Sequence, residues 1–123
     1  MSKRVELAHA GHFICGHMCQ MRRATYVNGY IVSTVGEYAP SSVWVGGGFR
    51  TRRSDDPFEP IGAGPHLYET YVFHAKRRRG VGSKCCPYVM SDASEIEGKR
   101  HMTADEAVAF HEKTVRKYER KKP

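Results

Sequence analysis

A chain of 123 residues and 13.9 kDa has room for one core, since domains run to roughly 100–200 residues; this argues against a two-domain enzyme or a full dinucleotide-binding fold. Twenty Lys and Arg against thirteen Asp and Glu give a formal charge of +7, and the hydrophobic share of 40% is only slightly below that of ordinary globular chains. A basic domain spanning residues 1–123, able to fold without staples, is the expectation.

The opening run MSKRVELAHAGHFICGHMC has basic residues but no continuous apolar stretch. Neither a secretory leader nor a membrane span is predicted, and the cytoplasm is the expected compartment. Residues 1–21 show no clean period and form an irregular Cys/His-rich segment holding His9, His12, Cys15, His17 and Cys19. From Arg22 to Tyr38 the β-branched runs on either side of Asn28-Gly29 predict a hairpin, because Asn-Gly readily adopts the two positive φ angles of a type I′ turn. Pro40 to Ser42 reads as a turn, followed by the short apolar run Val43 to Val45 and by Gly46, Gly47 and Gly48. Three glycines imply a mobile loop or a close approach to the backbone, and Phe49 to Arg53 resumes strand character. Asp, Pro and Gly between Ser54 and Pro65 mark a long surface connection.

Leu67 to Lys76 is the next strand, with Tyr71, Phe73 and Ala75 on one face and Tyr68, Thr70, Val72 and His74 on the other. Apolar groups on both faces suit a central position. After it come a basic, glycine-broken loop from Lys76 to Lys84, then Cys85 and Cys86, and a polar connection from Ser91 to Gly98. The last segment is a helix: Thr103 and Glu106 form a capping box, and Ala104, Ala107, Val108, His111, Val115 and Tyr118 fall within an arc of about 100°. Lys113, Arg116, Lys117, Arg120 and Lys121 take the other side. The expected fold is α+β, a small antiparallel sheet of three to five strands covered by one C-terminal amphipathic helix.

Three chemistries are open. Cys15, Cys19, Cys85 and Cys86, with His12 and His17 as local alternates, have the count and ligand types of a structural zinc site tying the N-terminal segment to the loop after the main strand. Buried reduced cysteines, or a reactive one, are the competing readings. Arg22, Arg23, Arg50, Arg52, Arg53, Lys76, Arg77, Arg78 and Arg79, interleaved with Tyr26, Tyr30, Phe49, Tyr68 and Tyr71, suit a groove that follows a nucleic-acid backbone and stacks bases. The arginines near Gly46 to Gly48 also suit a small phosphorylated or nucleotide ligand, although the glycine run lacks the spacing of a phosphate loop. His111 reads as a core histidine, Glu37 as a group that pairs with Arg or orients a tyrosine, and no catalytic set emerges.

The runs VNGYIVSTVGEY, IGAGPHLYETYVF and TADEAVAFHEKTV together resemble a family of small uncharacterised proteins of tailed bacteriophages, mainly those of actinobacteria. In that family Met usually stands where this chain has Tyr71, one or more cysteines follow, matching Cys85 or Cys86, and a Gly often precedes the histidine corresponding to His111, where this chain has Phe110. The resemblance implies a small accessory protein acting in the host cytoplasm, or on the virion, by binding. The expected partners are nucleic acid or a host protein, with no membrane; protein interaction is the main alternative.

Overall fold

The computed structural model describes residues 4–7, 18–61, 64–79 and 87–121, and of Ala93 the backbone alone. The described elements are β1 (Arg4–Leu7), β2 (Cys19–Val27), β3 (Tyr30–Tyr38), β4 (Ser42–Val45), β5 (Gly48–Thr51), β6 (Tyr68–Arg77), β7 (Tyr88–His101) and α1 (Ala104–Glu119). One antiparallel sheet runs β1-β2-β3-β6-β7, and β4 with β5 forms a separate two-stranded sheet. The α+β class and the single C-terminal helix agree with the sequence reading, but the seven strands exceed the three to five expected. The surplus comes from β1 and above all from β7, which occupies the stretch read as a polar connection.

Asn28 (φ 52°) and Gly29 (φ 87°) make the predicted turn between β2 and β3. The Asn28 side chain does a second job, donating to the carbonyls of Tyr118 at 3.2 Å and of Lys121, so that the turn closes the C-terminal end of α1. At the other end the Thr103 hydroxyl accepts from the Glu106 backbone N–H at 3.2 Å, and Asp105 and Glu106 lie in the positive first turn. Two glycines are required for space. Gly36 lies opposite Tyr68 and Gly98 opposite Tyr71, and a Cβ at either position would come within 2.0 Å of the facing ring.

Between helix and sheet the core divides into an apolar half and a polar half. Val27, Tyr30, Val32 and Val72 pack against Val115 and Tyr118, each full aliphatic burial contributing roughly 1.5–3 kcal/mol. Tyr30 and Tyr118 meet edge to face at 4.6 Å. Nearer the helix N-terminus the buried groups are Thr25, Thr34, Thr70, His101 and His111. Buried polar atoms need partners, and here they supply one another. Thr25 Oγ1 donates to the Glu6 carboxylate at 2.8 Å, and as a hydroxyl has only one proton, His111 Nε2, also 2.8 Å away, must donate to Thr25. In a neutral ring His111 Nδ1 then accepts from Thr34 at 2.7 Å, Thr34 accepts from Thr70 at 2.8 Å, and Thr70 accepts from His101 Nε2 at 3.2 Å. With His111 neutral the result is a one-way chain of donors from His101 to Glu6.

Burial, followed by the nearby Arg23 charge, holds His111 down at about 4. Burial also lowers His101, with Lys99 adding to the effect; it is 3% exposed. His111 is the core histidine expected. The chain ends in an ion-pair cluster in which Arg23 holds Glu6 at 3.0 Å and also Glu112, while Arg4 reaches Glu112 at 3.2 Å and Glu119 at 3.0 Å. That cluster fastens the edge strand β1 to α1.

Candidate nucleic-acid interface

The nine basic residues marked in the sequence fall in four places. Neighbours in a strand point to opposite faces, so Arg22 and Arg23 do not make one patch: Arg23 belongs to the ion-pair cluster under α1, and Arg22 is exposed on the other face of the sheet. Arg50 grips Asp56 with both guanidinium arms at 2.7 and 2.8 Å. This fork, with the Arg53 backbone N–H donating to the same carboxylate at 2.7 Å, holds Asp56 well below the usual carboxylate range. Arg52 donates through Nη2 to the carbonyls of Asp56 (2.8 Å) and Pro57 (3.0 Å), with its guanidinium 5.8 Å from the Phe58 ring centre. Its Nη1 has no hydrogen-bond partner among the described residues. Arg53 is exposed. Lys76, Arg77, Arg78 and Arg79 are exposed at the far end of β6, where Arg77 lies 6.0 Å from the Tyr88 ring centre.

That end of β6 has moved out of the plane of the sheet. Irregularities in the β6–β7 pairing at Val72/Phe73 and Phe73/Ala75 bend the ribbon, and its tip brings Tyr88 flat onto Tyr26 of β2, with ring centres 3.5 Å apart and planes 5° from parallel. Tyr26 therefore has one ring face already covered. Tyr30 and Tyr68, also named as stacking candidates, are buried at 9% and 6% exposure, and Tyr71 lies against Gly98. Of that aromatic set, Phe49 alone is strongly exposed.

The structure brings a different group of cations together. α1 and β7 form a cleft of about 500 Å³ lined by Glu97, Phe110, Lys113, Thr114, Arg116, Lys117 and Arg120. Spacing of three, four and seven residues sets Lys113, Arg116, Lys117 and Arg120 on one flank of the helix over two turns. The only carboxylate in the lining, Glu97, is taken by Lys117 at 2.8 Å. Lys99 adds a further cation over the Phe110 ring at 5.4 Å. The helix cations were legible as a polar face; the site was not, because nothing local indicated that β7 was a strand running alongside them.

The expected zinc site is corrected. Among the described residues no group of three or more His, Cys, Asp or Glu is placed to hold a metal ion. Cys19, the one described cysteine of the expected set, is 3% exposed and packs with Val35, Ile61 and Tyr38. His12, Cys15, Cys85 and Cys86 lie outside the described residues, as do His9 and His17. Comparison with known protein families, curated proteins and solved structures gives no match, so function has to be argued from the chemistry of these surfaces. No helix among the described residues is long and apolar enough to cross a membrane.

Proposed function

We propose that the protein binds nucleic acid, with the cleft between α1 and β7 receiving the phosphate backbone. The observation that carries this reading is the row Lys113, Arg116, Lys117 and Arg120 along one wall, facing a single carboxylate that Lys117 already neutralises. Cations repeated on successive helical turns, about 5.4 Å apart, suit a ligand whose negative charges also repeat along a line. Phe110 gives the cleft an aromatic surface on which a sugar or base can rest. The overall charge of +7 favours the encounter. A binder of this kind suits the infected-host setting expected from the resemblance to phage proteins, where nucleic acid is abundant.

Fluorescence anisotropy of a labelled oligonucleotide tests the reading. Affinity should fall linearly on a log–log plot against salt, and replacing Lys113, Arg116 or Arg120 with Ala should each lower the slope by about 0.7–0.9, the share of one phosphate contact. Salt dependence in all three variants unchanged from that of the parent chain would place the backbone elsewhere.

A further inference from the structure

The β4–β5 hairpin is built to display two aromatic rings. Gly46 (φ 40°) and Gly47 (φ 94°) form its turn, where two positive φ angles match the twist of the flanking strands; the glycines thus make a tight reversal and not the mobile loop or close approach that the sequence implied. Pairing puts Trp44 opposite Phe49 and Val43 opposite Arg50, so alternation divides the hairpin into two faces. On one face Arg50 and Arg52 reach Asp56 and the carbonyls of Asp56 and Pro57, tying the hairpin to the following loop. The other face carries Trp44, 63% exposed, and Phe49, 73% exposed. Their rings meet at 5.1 Å and 73°, edge to face, so the pair does not use up its own stacking surfaces.

We propose that this face stacks the bases of a single-stranded nucleic acid, which would define the substrate class of the binding activity proposed above and rests on it. Charge selects this occupant: no Asp or Glu lies between Tyr38 and Asp55, and of the three arginines there Arg50 is neutralised by Asp56, leaving Arg52 and Arg53. Arg53 is exposed and so suited to phosphate oxygens. The rings are flanked by Ser42, Gly47, Gly48 and Thr51, with Val45 the only exposed aliphatic beside them, a poor apolar rim for a protein partner. An intact duplex hides its base faces within its own stack, so only an unpaired strand offers what the rings accept.

Trp44 is the sole tryptophan of the chain, so its fluorescence reports on the hairpin alone. Titration with a labelled oligo-dT should quench it, whereas a duplex of equal length should bind with little quenching. Trp44→Ala should weaken oligo-dT binding about tenfold or more by anisotropy, and Trp44→Phe should restore most of the loss. If oligo-dT binds with unchanged tryptophan emission and the Arg116 and Arg120 variants weaken it, the hairpin inference fails and the cleft reading survives. Quenching that persists undiminished in those variants would instead support the hairpin and overturn the cleft. Absence of any binding at low salt rejects both, and emission that changes with protein concentration alone would identify the hairpin as a self-association surface, overturning the inference.

Discussion

His111 illustrates how a single residue in this protein combines structural and titrating roles. Its two nitrogens have opposite duties, donating to Thr25 and accepting from Thr34, and protonation removes the acceptor. The charged groups facing it are Arg23 from β2, Glu6 and Arg4 from β1, and Glu112 from α1 itself; burial outweighs them. Its value falls from an ordinary 6.5 to about 4 on folding, so between those limits the unfolded chain binds the extra proton. Stability from this group is complete above pH 6.5, declines as the pH falls, and is lost near pH 4, a change of about 3 kcal/mol at 1.36 kcal/mol per unit. His101, also lowered, acts in the same direction. Urea unfolding between pH 7 and pH 5 should show this decline, and His111→Gln, which keeps one donor and one acceptor, should flatten most of it. An equally steep decline in the variant would assign the dependence to other groups. His111 could be recognised as a core residue from helical spacing alone; its partners could not, because Thr25, Thr34 and Thr70 come from three strands whose register is a tertiary fact.

At the scale of elements, what was legible is what is decided locally. The β2–β3 hairpin follows from Asn28-Gly29 and β6 from a period-two run rich in aromatic and β-branched residues. The start of α1 follows from Thr103 and Glu106, and Thr103→Ala should cost about 1 kcal/mol in a thermal or urea melt; a change below a few tenths would mean that Glu106 and the surrounding packing hold the helix end without it. β7 was illegible for a physical reason. As an edge strand it pairs on one side only and is largely exposed, so Ser91, Asp92, Ser94, Glu95 and Glu97 stand where an internal strand would need apolar groups, and Gly98 is present to admit the Tyr71 ring rather than to make a turn. Strand alternation through β7 puts His101 on the Thr70 side. The arc drawn for the helix needed one exchange: Val108 is 46% exposed and Thr114 is buried. The β4–β5 pair was visible as two short runs around glycines, yet its exposed face emerged only once Arg50 and Arg52 were seen to anchor the opposite one.

Across the whole molecule the two candidate surfaces lie toward opposite ends of the sheet. β4 leaves from the end where Gly36, Tyr68 and His101 stand in register, just before α1 begins, whereas Arg116 lies 12 residues into the helix, roughly 18 Å along its axis. A strand reaching both surfaces must be long enough to bridge them, and once one surface is engaged the second contact becomes intramolecular, so its strength depends on effective concentration. Affinity for oligo-dT should therefore rise steeply with length and level off within the range of about 4–16 nucleotides used by small single-strand-binding domains. Trp44→Ala should lower the plateau and shift it to shorter lengths, because the remaining cleft is satisfied by fewer nucleotides; Arg116→Ala should chiefly reduce the salt slope. A plateau at the same length in both variants and the parent chain would mean that the strand never spans the two surfaces, leaving each to bind its own ligand.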